Sequence, residues 1–466
     1  MGMNLSELKD RSILILGFGR EGQSNYRYLR AAFPENTFGV ADQLPLEKLS
    51  PEAVERAQQD SRLRLHLGPA YLSSLAVYDV IVKSPGIPVT LPEYRRAIEA
   101  GQCITTHTAL FFAHFQGIVI GVTGTKGKST TASLIHAILK RTTLDTHLVG
   151  NIGVPPLDLL PRSNPKTLFV YELSSHQLVE LRQSPQIAVL LNVVPEHLDY
   201  YENMEQYVAA KENITRYQAE SDTLIYDADH VIPREIASRS HAQRHGCSLE
   251  QSQSPGCFVS GDWLLYRSEK GEEEPVLPTA EVPLLGRFNL LNVAAATAVG
   301  MRMGVPAEEI AEAVREFHPL EHRLERVGTY GGVTYYNDSI ATVPEAAIAA
   351  LGALGGEVET ILLGGTDRHQ DFSELARNLL ASDVRTLLLF PATGERIWRA
   401  VCEQDPAAIH RLRHFFVKTM EEAVALAREH TSKGKICLHS PASPSFGLFR
   451  DYRERGEKFK QLVRER

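Results

Sequence analysis

The chain has 466 residues, 43% of them hydrophobic and 23% charged. That length predicts about three domains at roughly 150 residues each and excludes a single small binding module, while the ordinary globular composition excludes a disordered chain and a fibrous repeat. Its 49 Lys and Arg against 57 Asp and Glu leave a formal charge of −8, without the cation excess that non-specific nucleic-acid binding needs. Five cysteines lack any C-x-x-C pair, so they read as free thiols of a reducing compartment rather than as zinc or redox ligands. Glu7, Lys9 and Asp10 interrupt the start where a secretory signal needs an apolar core. No later run reaches the ~18 apolar residues of a membrane span. The expectation is a cytoplasmic protein, monomeric by default, with neither nucleic acid nor membrane as partner.

The first strand signal, Ile13 to Leu16, ends in Gly17-Phe18-Gly19-Arg20-Glu21-Gly22 and an amphipathic stretch. G-x-G-x-x-G between strand and helix is a nucleotide-binding pattern, and Asp42, at the end of the second strand signal, stands where a ribose-binding acid belongs. Taken alone, that pattern leaves nucleotide binding and a plain strand-to-helix turn equally open. A further strand closes with Ser84-Pro85-Gly86, a turn at a carboxyl end, where ligands of open α/β sheets sit.

A second unit opens near residue 113 with GIVIGVTG and runs into Gly124-Thr125-Lys126-Gly127-Lys128-Ser129-Thr130 and the helical TASLIHAILKR. Strand, glycine loop, Lys-Ser and helix form the phosphate-cradling arrangement, with Lys128 toward the outer phosphates and Ser129 toward Mg²⁺. Val122 replaces the first consensus glycine, so the loop fits G-x-x-G-K-S. The polar stretch from about 238 to 280 reads as a solvated loop or hairpin excursion. After two helical segments a third unit begins near Leu324, with strands GVTYYND, TILLGG and RTLLLF separated by helical patterns. The fold class is α/β in three consecutive domains: 1–112, 113–322 and 323–466.

The remaining polar groups at strand ends decide the chemistry. Glu172 follows the strand TLFVY and opens a helix, a position that suits a Mg²⁺-holding carboxylate or, equally, compensation of the helix dipole. His197 lies just past the strand IAVLLNVV and is a metal or phosphate contact or a structural histidine. Lys211, in the helical YVAAKENI, takes a surface salt bridge as its default assignment. Asn289 and Asn292 share one face of an apolar helix, facing adenine or phosphate, with a capping role open for Asn289.

Together these motifs resemble the Mur ligases, ATP-dependent enzymes that add amino acids to the peptidoglycan precursor. The resemblance covers the whole chain: GFGREG and SPGIP in the first domain; VTGTKGKSTT, GNIG, YELSSHQL, NVVPEHLDYY, YVAAKENI and GRFNLLN in the second; HRLE, YYNDS, GGTDRHQDF and SPASPSFGLFRDYRERG in the third. It implies a Rossmann-like UDP-binding domain, a P-loop ATPase domain and a Rossmann-like amino-acid-binding domain. Gly124, Thr125, Lys126, Gly127, Lys128, Ser129 and Thr130 would bind ATP with Asn289, Asn292, Arg323 and Asp338. Ser129, Glu172, His197 and Lys211 would serve two Mg²⁺ sites, Lys211 as a carbamylated lysine, with Lys128, His197 and Lys211 catalytic. Gly19, Arg20, Asp42, Gly86 and Asn151 would contact a UDP-sugar, and Thr342, Arg368, Ser445 and Tyr452 the amino acid. The implied substrates are UDP-N-acetylmuramoyl-L-alanine and glutamate, joined through an acyl phosphate.

The family's usual N-D-S-K-A-T-N appears here as Asn337-Asp338-Ser339-Ile340-Ala341-Thr342-Val343, and S-P-A-x-x-S-F-D as a loop carrying Pro444 and Gly447. His369 stands where a small residue is common. These departures cluster at the amino-acid pocket and resemble a subgroup that uses L-glutamate, while D-glutamate is the family default. Three competing readings are a folylpolyglutamate-synthase-like ligase, a dinucleotide oxidoreductase and a non-catalytic nucleotide switch. The first leaves GFGREG unexplained, the second leaves the P-loop unexplained, and the third has no use for His197 and Lys211.

Overall fold

The computed structural model describes residues 5–196 and 200–465. Its strands form three sheets. The first is built from β1 (Ile13–Leu16), β2 (Phe38–Asp42), β3 (Leu63–Leu67), β4 (Val80–Lys83) and β5 (Cys103–Thr106) in the order β3-β2-β1-β4-β5, every neighbouring pair parallel. The ILIL and VIVK runs are buried at every position, as strands covered on both faces must be. Chain order reverses between β1 and β4, so the carboxyl ends of these two strands open the crevice in which α/β sheets bind ligands.

The second sheet contains β6 (Ile118–Thr123), β7 (Asp145–Gly150), β8 (Thr167–Glu172), β9 (Ile187–Leu190), β10 (Thr223–Asp227), β11 (Gln243–Ser248), β12 (Gly256–Ser260), β13 (Trp263–Arg267) and β14 (Glu273–Pro278). Their order is β14-β13-β12-β11-β10-β9-β6-β8-β7. The polar stretch expected as a loop or hairpin excursion is therefore part of this sheet. Its antiparallel β12-β13-β14 portion meets the hairpin expectation. The β11 strand departs from it, pairing in parallel with β10 and β12. Ser248 can be buried there because Asp229 accepts from its hydroxyl, and also from the Leu249 amide at 2.8 Å.

The third sheet is built from β15 (Glu325–Tyr330), β16 (Val333–Asn337), β17 (Val358–Gly364), β18 (Thr386–Phe390), β19 (Arg413–Phe416) and β20 (Ile436–His439), ordered β15-β16-β20-β17-β18-β19 with only the β15 edge antiparallel. Alternate residues of β17 feed two cores, Ile361 and Leu363 on one face and Leu362 on the other, as a two-residue period requires.

The chain divides into two compact units, 1–281 with 291–316 and 282–290 with 317–466. The first holds the first two sheets on a shared core that runs from Ile13 and Val80 to Phe169 and Tyr207. Among the described residues, no helix is long and apolar enough to cross a membrane.

Candidate active site

The phosphate loop of the first unit joins β6 to the helix Lys128–Leu139. Gly127 caps that helix with φ +87°, and a Cβ there would lie 2.2 Å from Asn292 Oδ1. Only glycine keeps this backbone open for an anion at the helix N-terminus. Asn292 also accepts from the Thr131 hydroxyl at 3.2 Å, so this predicted ATP contact braces the loop from the neighbouring helix. The Lys126 amide donates to Asn192 Oδ1 at 3.1 Å, and the Lys126 ammonium meets Glu196 at 2.5 Å. Asn192 and Glu196 escaped the sequence reading, although their signal was present: both follow the buried strand β9 on the edge that carries the loop.

Lys211 corrects its default assignment as a surface ion pair. Its side chain is only 1% exposed, and its ammonium donates to the Gly124 carbonyl at 2.7 Å. The Lys128 ammonium donates to the carbonyls of Gly124 at 3.1 Å and Thr125 at 2.9 Å. Burial first, then the neighbouring cations Lys128 and Lys126, push the Lys211 amine well below the usual ammonium range, with Glu196 opposing. Two lysines on one carbonyl beside a glycine cradle fit the phosphates of ATP. Ser129 and the buried Glu172 at the end of β8 supply hard oxygen donors suited to Mg²⁺. Mg²⁺ takes oxygen donors rather than an amine nitrogen, so Lys211 fits that role only after gaining a carboxylate. His197 lies outside the described residues. Among the described residues, the one trio of His, Asp or Glu close enough to hold an ion is Glu321, His322 and Glu457. Lys460 already sits there, 2.7 Å from Glu457 and 3.7 Å from Glu321.

A cleft of about 490 Å³ at the carboxyl ends of β1 and β4 is lined by Gly19, Arg20, Asp42, Gly86 and Asn151. Five residues expected to contact a UDP-sugar thus meet in one place. Two of them also have structural partners. Asp42 accepts from the amides of Phe18 at 2.8 Å and Leu44 at 2.9 Å, fixing the glycine turn. Arg20 donates to the carbonyls of Gly150, Asn151 and Gly153. Lys83, at the end of β4, was not foreseen: fully buried, it pairs with Glu180 at 2.9 Å and donates to the Ile87 carbonyl at 3.0 Å.

In the second unit Asp338 directly follows β16. It accepts from the Ser440 hydroxyl at 2.8 Å and the Leu324 amide at 3.1 Å, and burial pushes its carboxyl up to about 6 despite the pull of Arg323. The amino-acid candidates lie on adjoining loops: Gln370 donates to the Thr342 carbonyl at 3.1 Å and accepts from the Arg368 amide at 3.3 Å. The Arg368 guanidinium covers Phe446, next to the buried Ser445. Tyr452 gives its carbonyl to Ser339 at 2.7 Å. Arg455, missed in the sequence, is buried on Ser339 and Ser443. Asn289 donates back to the Leu285 carbonyl at 2.7 Å, near the start of the helix Arg287–Arg302.

Residues 11–106 match the Mur ligase MurD-like N-terminal domain, 122–300 the Mur ligase middle domain and 322–443 the Mur ligase glutamate ligase domain. The UDP-N-acetylmuramoylalanine–D-glutamate ligase of Symbiobacterium thermophilum is 38% identical over 98% of both chains. The UDP-N-acetylmuramoyl-L-alanine–L-glutamate ligase of Xanthomonas euvesicatoria is 34% identical over 99% of this chain and 97% of its own. The solved UDP-N-acetylmuramate–alanine ligase of Thermotoga maritima shares the fold, with a TM-score of 0.61 at 16% identity over 97% and 98% of the two chains. The chain belongs to the Mur ligase family. It is an ATP-dependent, ADP-forming ligase, and the oxidoreductase and switch readings fall.

Proposed function

We propose that the protein joins glutamate to the alanine carboxylate of UDP-N-acetylmuramoyl-L-alanine in peptidoglycan precursor synthesis. D-glutamate is the first assignment, because the Symbiobacterium relative carries that name; the Xanthomonas relative keeps L-glutamate as the alternative. The observation that carries the reading is one compact unit holding both a phosphate loop backed by two lysines and a cleft gathering Gly19, Arg20, Asp42, Gly86 and Asn151. That cleft also argues against a folylpolyglutamate-synthase-like ligase, which has no use for a UDP-binding first domain.

In this reading an oxygen of the alanine carboxylate attacks the γ-phosphorus of ATP, and ADP leaves. The glutamate amine then attacks the acyl carbon, loses a proton and expels phosphate. Lys128 and the loop amides from Gly124 to Thr130 hold the phosphates, and their charge offsets the crowded anions as the transition state forms. Asn292 keeps the loop in place, while Asn289, Arg323 and Asp338 are assigned to ATP as well. Mg²⁺, when bound, neutralises phosphate charge; Ser129, Glu172, His197 and Lys211 are its proposed holders at two sites. Carbamylation of Lys211 suits its environment: the amine, held neutral by burial, attacks CO₂ and loses one proton, placing an anion beside the cations Lys126 and Lys128. Thr342, Arg368, Ser445 and Tyr452 are assigned to glutamate. The domain limits 1–112, 113–322 and 323–466 belong to the same proposal, as does a cytoplasmic monomer.

Phosphate release from ATP with UDP-N-acetylmuramoyl-L-alanine and either glutamate enantiomer at equal concentration tests the assignment. Release with D-glutamate alone supports the first assignment, release with L-glutamate alone supports the alternative, and release with neither overturns the substrate.

A further inference from the structure

The helix Arg20–Ala32, which follows the glycine turn after β1, opens with two consecutive charged residues, and neither behaves like a free ligand contact. Arg20 forks onto three carbonyls at the end of β7 and just beyond it, those of Gly150, Asn151 and Gly153. Glu21 accepts from Gln177 Nε2 at 2.7 Å. Gln177 is itself half of a capping box: its Oε1 accepts from the Ser174 amide at 2.8 Å, and its own amide donates back to the Ser174 hydroxyl at 3.3 Å. Ser174 follows Glu172 by two residues at the end of β8. All of these groups lie in the first unit.

The turn that lines the cleft is therefore pinned at adjacent positions to the ends of two strands of the phosphate-loop sheet. We propose that Arg20 and Glu21 are positioning residues of the ligase, a two-pronged staple that fixes where the carboxylate of a UDP-sugar bound in the cleft stands relative to the phosphate loop. The proposal rests on the substrate class inferred above.

Chemistry explains why a carboxyl group can serve as the second prong in a turn built for anions. Glu21 Oε2 is buried and has no hydrogen-bond partner among the described residues, an environment that disfavours the charged form. Desolvation raises the Glu21 carboxyl above its ordinary range, against the pull of Gln177, Arg20 and Lys83. The prong needs only a neutral acceptor for Gln177, so an amide of the same length should replace it. Arg20 is less replaceable, since its contacts come from two nitrogens of a planar fork that a lysine's single ammonium nitrogen does not reproduce.

The experiment measures kcat and KM for the UDP-sugar and for ATP in wild type, Glu21→Ala, Glu21→Gln and Arg20→Lys. Displacing reacting groups by about 1 Å costs roughly 100-fold in rate. Glu21→Ala and Arg20→Lys should therefore lower kcat by about 10- to 100-fold with KM for ATP unchanged, and Glu21→Gln should restore it to within about threefold of wild type. A kcat left at the wild-type value in both variants, or a change confined to KM for the UDP-sugar, overturns the staple in favour of a structural or a direct binding role. Backbone hydrogen exchange reads the same lock without substrate. Faster exchange in Glu21→Ala confined to 174–178, and in Arg20→Lys to 150–153, supports it, and unchanged exchange overturns it. A wild type that releases no phosphate with either enantiomer fails the substrate assignment alone, and the exchange measurement then decides the staple.

Discussion

The phosphate loop of the first unit and the amino-acid loops of the second unit are both assigned to ligands, yet they are built by different means. Around the phosphate loop the backbone does the shaping: Gly127 holds a conformation closed to side chains, and two lysines are anchored on loop carbonyls. The loops carrying Thr342, Arg368 and Ser445 are shaped by side chains, with Gln370 bridging two of them and Phe446 left 52% exposed beneath Arg368. Chemistry common to a family can be held in backbone geometry, where few residues are tolerated. In the proposed function the choice of amino acid falls to side chains, where the departures Ile340, His369, Pro444 and Gly447 collect.

The sharpest break of this contrast is Lys211→Ala. Removing the buried amine takes away the group proposed to carry charge beside the phosphates, and losing one such stabilising group costs about 10²- to 10³-fold in rate. Phosphate release should fall by that order and recover partly when short carboxylic acids are added to replace the carbamate. Full activity in the variant would return Lys211 to a structural role. Gly127→Ala should rank next. A methyl group at φ +87° meets Asn292 Oδ1 at 2.2 Å, and left-handed backbone costs an L residue about 1–2 kcal/mol before that clash is relieved. KM for ATP should rise about 10- to 100-fold, with the UDP-sugar KM unchanged; equal rises in both would mean the unit itself is disturbed.

Asp338→Asn probes the second unit. Burial pushes the native carboxyl up to about 6, against about 3.9 in an unfolded chain. Between those values the folded state binds the extra proton, so stability is greatest below pH 4 and falls as pH rises through 6. The full penalty is about 3 kcal/mol. Asparagine removes it, so the variant should gain in Tm over wild type at pH 8 and lose that gain at pH 4, while ATP turnover drops at both. A gain that does not depend on pH would mean that the Asp338 carboxyl holds its proton equally well in the folded and unfolded chain.

The sequence made the three sheets legible because their central strands are unbroken apolar runs, as in ILIL, TLFVY and TILLGG. The phosphate loop was equally plain, since its residues act through local backbone and are contiguous. Lys211 was misjudged as exposed, although Tyr207, Ala210 and Ile214 make a buried stripe on its helix and Lys211 falls within it; a cation at a stripe position was the available signal. The Arg20 and Glu21 partners could not be read, because they depend on how two sheets of one unit meet. The β11 strand was hidden because it reads as the polar run QRHGCS, and its buried Ser248 hydroxyl is met by Asp229, a residue on a separate loop.

The smallest expected effect sharpens the comparison from the side-chain-built region. Gly447 has φ +95° and stands where the family pattern places an aspartate, yet a Cβ built there meets no heavy atom within 4 Å. Gly447→Asp therefore costs backbone strain alone, about 1–2 kcal/mol, seen as a loss of a few degrees in Tm. Its carboxylate would begin in open space on an exposed loop, so the ratio of D- to L-glutamate turnover should move by less than about threefold, under 1 kcal/mol. A shift of tenfold or more would show that the loop closes on the amino acid and reads its handedness at this position, making the glycine a selective feature rather than a relief of strain. The corresponding change at Ile340, half-buried and tied through its amide to the His322 carbonyl at 3.1 Å, lacks that freedom. Restoring lysine there should alter the ratio more than the change at Gly447 does, and the opposite order would move the chirality-reading element from the Asn337–Val343 segment to the Pro444–Gly447 loop.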